Sequence, residues 1–195
     1  MHLIDRRLLP LLAALLVGAA CSSPAPHEVL PPGAVGAGIQ QNVSLASLQA
    51  AGWSVCHEDR YGDYGGLVDA VLAGCAGPYL MLACRADGAT DTLALAAADT
   101  RAVVTRADPA GVTSFHASNG VGWYYTDSMS WGFFPASDTV NRANCDLNDP
   151  AQTNRDRRLC WNLDVDGLGL IPGYRCGDNA MGGGSVFRRM VLKHP

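Results

Sequence analysis

Asn162, Asp164 and Asp166 supply side-chain oxygens at positions 1, 3 and 5 of a stretch whose sixth residue is Gly167, the pattern of the first half of a calcium loop. The second half departs from it. Position 12, where a glutamate gives two oxygens at once, is Gly173, and Pro172 precedes it. Without that ligand too few charged oxygens remain for tight binding. Calcium is therefore a weak candidate cofactor, with Asn162, Asp164 and Asp166 as its ligands. The simpler expectation is an Asp/Gly turn whose side chains cap their own backbone.

General-base chemistry would fall to His57 or His116, with His194 in reserve and Asp59 or Asp127 as the orienting carboxylate. His57 begins "HEDRY", which lacks the second histidine of the His-Glu-x-x-His zinc motif. No Gly-x-Ser-x-Gly nucleophile elbow occurs. The wide separation of these histidines offers nothing in favour of a catalytic site. We expect no enzyme, keeping a periplasmic or surface hydrolase that uses His57 or His116 as the alternative.

The chemistry of the seven cysteines depends on the compartment, which the first residues decide. "MHLIDRRLLPLLAALLVGAAC" joins an arginine pair, an apolar run from Leu8 to Val17 and small residues before Cys21, the order of a signal peptide. The run is interrupted by Pro10 and is shorter than the roughly 20 residues of a membrane-spanning helix. The rest of a twin-arginine export motif is missing around Arg6 and Arg7. Gly18-Ala19-Ala20-Cys21 resembles the lipobox of bacterial lipoproteins, with Gly18 where a leucine is commoner. That resemblance implies cleavage after Ala20, lipid on Cys21 and anchoring in a membrane by the acyl chains. Ser22 in place of an aspartate after the cysteine favours the outer membrane. We read 1–20 as the signal, 21–39 as the lipidated cysteine with a Pro/Ala/Gly-rich tether, and 40–195 as one extracytoplasmic domain.

Cys56, Cys75, Cys84, Cys145, Cys160 and Cys176 remain, an even number in an exported chain, as in a disulfide framework. No Cys-x-x-Cys spacing points to zinc. Short loops favour Cys56 with Cys75 and Cys145 with Cys160, leaving Cys84 for Cys176. The pairing of Cys160 with Cys176 is the main competitor.

Loss of residues 1–20 removes Arg6, Arg7 and Asp5, leaving 12 basic and 17 acidic groups and a formal charge of −5. That balance excludes a typical nucleic-acid binder, which needs a basic face for phosphates. "GLVDAVLAGC" has helical spacing and "VSLASLQAAGW" begins as a short helix, whereas "YLMLACRA", "DTLALAAADT", "RAVVTRA", "GVTSFHA", "GVGWYYT" and "SWGFFP" are short runs between turn residues, with a helix as the alternative for the Ala-rich "LALAAAD". The expected fold is mainly β, with α+β as the alternative: a single antiparallel sheet or sandwich with one or two short helices and three disulfides.

"GWSVCHEDRYG", "YLMLACR", "SNGVGWYY", "SWGF", "RLCW" and "GYRCG" together resemble a family of small cysteine-rich domains of secreted and surface bacterial proteins. The likeness runs from Gly52 to about Arg189. It implies one extracytoplasmic domain, with a variable glycine-rich stretch between "RLCW" and "GYRCG", and brings no activity or catalytic residue.

Residues 122–134 hold six of the chain's fourteen aromatic residues. On a strand, Trp123 and Tyr125 share one face and Tyr124 takes the other. Trp123, Tyr125 and Trp131 are accordingly a candidate ligand face, able to stack on sugars or anchor a protein partner. The resulting expectation is a monomeric, lipid-anchored envelope protein that serves as a binding or adhesion module for a glycan or protein, with a purely structural envelope component as the remaining alternative.

Overall fold

The computed structural model describes residues 38–109, 111–125, 130–146, 153–164, 166, 168–180 and 186–195. The domain is mainly β and consists of two packed antiparallel sheets. The first sheet contains β1 (Gln40–Ser44), β2 (Ser54–Arg60), β3 (Tyr79–Ala86), β4 (Thr92–Thr100) and β11 (Phe187–His194), in the order β1-β4-β3-β11-β2. The second contains β5 (His116–Ser118), β6 (Val121–Tyr125), β7 (Ser130–Pro135), β8 (Leu159–Leu163), β9 (Leu170–Cys176) and β10 (Asn179–Ala180), in the order β10-β9-β8-β7-β6-β5.

Alternation along the strands divides each sheet into two faces, and both faces are covered. Leu80, Leu82, Leu95, Ala97 and Val191 point inward onto Trp123, Trp131, Phe133, Trp161 and Leu170 of the second sheet. Met81, Ala83, Ala96, Met190 and Leu192 point outward, under Leu48 and Trp53. On the far side of the second sheet, Tyr124, Phe134 and Cys160 lie beneath Val140 and Cys145. Domains built this way bury apolar area in layers rather than in one central core.

Helices α1 (Leu45–Ala50) and α2 (Val68–Gly74) form where the apolar spacing predicts them. Ser44 caps α1 by accepting from Ser47 N at 3.1 Å. A third helix, α3 (Arg101–Val104), replaces the short extended run expected of "RAVVTRA", so the domain exceeds the one or two helices expected. The cause is local. Thr100 accepts from Val103 N, while the Arg101 guanidinium donates to the Leu72 and Cys75 carbonyls at 2.9 Å each. "GVTSFHA" contributes only the three residues of β5. It turns back into β6 through Asn119 and Gly120, both with positive φ, as a two-residue hairpin turn requires.

Disulfides join Cys56 to Cys75, Cys84 to Cys176 and Cys145 to Cys160. The first ties β2 to the end of α2, and the last ties β8 to the 3-10 helix Ala143–Asp146. Cys84–Cys176 crosses from β3 to β9 and so staples the two sheets.

Four arginines, Arg142, Arg158, Arg175 and Arg189, are almost wholly buried. Each donates to backbone carbonyls, at least one of them in a loop or turn: Pro109 for Arg142, Thr139 and Thr153 for Arg158, Arg155 and Gly177 for Arg175, and Arg60, Asp63 and Ile171 for Arg189. Arg158 also lies 2.5 Å from Asp138 Oδ2 and stacks over Phe134. Burial alone would raise the Asp138 carboxyl, but hydrogen bonds from Thr153, Thr139 N and Arg158 outweigh it and hold the group below the usual carboxylate range. A carboxylate depressed in the native state adds stability above its unfolded value, about 4, and loses it as pH falls through the native value. Urea midpoints followed from neutral pH towards about pH 2 should therefore fall less steeply in Asp138→Asn than in the parent; parallel curves would refute this assignment.

Candidate functional site

The aromatic face expected at Trp123, Tyr125 and Trp131 is not a surface. Trp123 and Trp131 are fully buried between the sheets, and Tyr125 packs against the same core. Trp131 stands edge-on to Trp161 at 5.2 Å, and its Nε1 donates to the Val104 carbonyl at 3.0 Å. The alternation of this strand was readable, but the covering of both its faces by the first sheet and by the 136–146 segment was not.

His57 and Asp59 sit two apart on β2, and His57 Nε2 is 3.3 Å from Asp59 Oδ1. Asp59 belongs to a larger network. Arg189 pairs with it through both Nε and Nη2 and reaches across to the Ile171 carbonyl at 2.8 Å. Arg189 also lies over the Tyr61 ring, whose hydroxyl accepts from Trp161 Nε1 and donates to the Arg175 carbonyl. Complete burial pushes the Tyr61 hydroxyl far above its ordinary range, keeping it a neutral donor. This network joins the sheets; the carboxylate next to His57 is already engaged in it.

His116 meets a carboxylate that no spacing signalled. Its Nδ1 is 2.9 Å from Asp108 Oδ1, and its Nε2 is 2.8 Å from the Val103 carbonyl. Both ring nitrogens are thus engaged by protein oxygens. Behind Asp108 lies Arg142, whose Nη1 is 3.8 Å from Oδ2; burial lowers the Arg142 pKa, and the Asp108 charge opposes that shift. His194 stands apart against Trp53, with its Nε2 at the Ala51 carbonyl. Asp127 lies outside the described residues, as does Cys21.

Of the calcium candidates, Asp164 closes its own turn. Its Oδ1 accepts from Leu168 N at 2.7 Å, and its backbone N donates to the Gly169 carbonyl. Asn162 is within β8 opposite Ser130, and Asp166 is exposed. Among the described residues no three His, Cys, Asp or Glu side chains gather as metal ligands. Gly167, the sixth loop residue, lies outside the described residues.

A surface that sequence periodicity did not signal lies at this same loop. Segment 61–68 runs beside β9 and the turn before it: Gly173 N donates to Tyr61 O, Gly65 N to Leu170 O, Leu170 N to Gly66 O and Val68 N to Leu168 O. Leu67 bridges to Gly169. Tyr64, Leu67 and Leu168 are thereby brought together while remaining 56%, 52% and 58% exposed. The Tyr64 ring and the Asp164 carboxylate both lie against Gly169, where an added Cβ would collide with the Tyr64 hydroxyl. Glycine at 169 is what admits them. The available signal was large apolar residues within the glycine-rich turns "DYGGL" and "GLGL".

This surface occupies one end of the sandwich. In the second sheet, Leu163 pairs with Leu170 near it, whereas Val121 pairs with Pro135 and Leu159 with Cys176 at the opposite end. The described chain begins at that opposite end, where Gly38 lies against Asn119 of the β5–β6 turn.

Comparisons with family models, curated proteins and solved structures returned no match. The family likeness drawn from the cysteine and aromatic motifs rests on those residues alone.

Proposed function

We propose that the chain is a lipid-anchored bacterial envelope protein whose domain is a non-catalytic binding module, with Tyr64, Leu67 and Leu168 as its contact surface. The carrying observation is the position of that surface, at the end of the sandwich opposite Gly38. A lipid on Cys21 and a Pro/Ala/Gly-rich tether would join the domain at the Gly38 end, directing the apolar surface away from the anchoring membrane. Three disulfides fit the oxidising compartment that this reading needs. Large apolar side chains gathered at a surface, with polar groups around them, are a usual mark of a contact site.

Cys21→Ala is expected to abolish palmitate incorporation and release the protein to the soluble fraction; unchanged membrane labelling would overturn the anchoring. Purified envelope glycans and proteins, presented to the parent and to Leu168→Ser, test the module. Retention lost with Leu168 supports the reading, and equal retention by both forms refutes the assigned surface.

A further inference from the structure

Resting on that reading, we infer that the surface takes a protein segment with an apolar centre and a lysine or arginine rim. The basis is the charge around it. The described residues of 61–69 and 163–170 carry this surface; neither stretch of the sequence contains a lysine, arginine or histidine, and together they hold Asp63, Asp69, Asp164 and Asp166. Asp63, Asp69 and Asp166 are exposed, and Asp164 is half-buried beside Tyr64 at Gly169. Arg189, which donates to the Asp63 and Ile171 carbonyls, is buried and committed to Asp59, while Arg101 and Lys193 donate farther along α2, to the Leu72 and Gly74 carbonyls.

Charge then discriminates among occupants. A neutral glycan gains nothing from four carboxylates, while an anionic glycan or lipid headgroup is repelled. A second copy placed by a two-fold axis would bring the same acidic patch against itself. A cationic rim around an apolar centre satisfies both features, with the apolar contact supplying affinity and the charges supplying encounter rate and selectivity. The surface is also held in shape before any partner arrives. The 61–68 segment lies between Cys56 and Cys75, residues 168–170 lie before Cys176, and these cysteines are bridged, so Tyr64, Leu67 and Leu168 sit on cross-linked stretches of chain.

The test uses the exported chain with Cys21 replaced by Ala, which avoids detergent, and two synthetic amphipathic helical peptides, one of Leu and Lys and one of Leu and Glu. Fluorescence anisotropy should show binding of the Leu/Lys peptide alone. Leu168→Ser or Gly169→Ala, the latter displacing Tyr64 without changing charge, should weaken it about tenfold. The combined Asp63→Asn, Asp69→Asn, Asp164→Asn variant should weaken it as well and blunt its salt dependence, while the amide oxygen introduced at position 164 can still accept from Leu168 N. Melting temperatures check that each variant is folded. Equal binding of both peptides, or Leu/Lys binding that survives the triple Asp→Asn variant, overturns the inference. So does retention of a neutral glycan through Leu168 or a concentration-dependent dimer broken by Leu168→Ser. If neither peptide binds while an envelope component is still held through Leu168, the cationic partner falls and the binding module stands; if no envelope component is held through Leu168, both fall.

Discussion

Replacing Arg189 with Met should lower the free energy of unfolding by about 3–5 kcal/mol, the usual result of leaving one member of a buried ion pair without its partner. Arg189 is wholly buried, whereas Asp59 keeps 13% of its side chain exposed. The change strands Asp59 and also frees the carbonyls of Arg60, Asp63 and Ile171. Methionine preserves much of the apolar bulk against Tyr61, so the loss reports on charge and hydrogen bonding more than on a cavity. Urea unfolding of Arg189→Met, Asp59→Asn and the double variant separates the pair from its surroundings. A loss under about 1 kcal/mol, the range of an exposed pair, would contradict the buried network. The same substitution should speed amide exchange at Gly65 and Val68, whose partners lie in the segment that Arg189 holds.

Converting Cys84 and Cys176 to serine should cost more than removing either other bridge. Their separation of 92 residues corresponds to about 4–5 kcal/mol in the chain-entropy picture, against about 3 for separations of 19 and 15. The long bridge also joins the two sheets, while the others fasten local segments. Unfolding of the three double-serine variants under one set of conditions checks the order. A greater loss from either short-loop bridge would contradict it.

Most of the β framework was legible because its cause is local. "YLMLACRA" becomes β3 with the expected bounds, "DTLALAAADT" becomes β4 from its second residue, Thr92, and the short spacings around Cys56 and Cys145 favoured the bridges that form. Failures came where distant contacts decide. "RAVV" is helical because Arg101 reaches carbonyls about 26 to 29 residues away. Trp123 and Trp131 are buried because the first sheet lies over them, and alternation alone cannot tell a covered face from an open one. Asp108 meets His116 across a non-repeating loop. Tyr64 and Leu168 stand in turns, where no period marks which side is exposed.

The buried arginines have a consequence for how this domain can diversify. Arg142, Arg158, Arg175 and Arg189 grip loops by their carbonyl oxygens, and a carbonyl is the same whatever residue carries it. The course of the loops is thus written largely in residues outside their exposed positions, leaving the side chains above free to drift. Relatives that kept these guanidiniums could exchange the residues at Tyr64 or Leu168 and acquire new partners on an unaltered frame, much as interchangeable heads fit one handle.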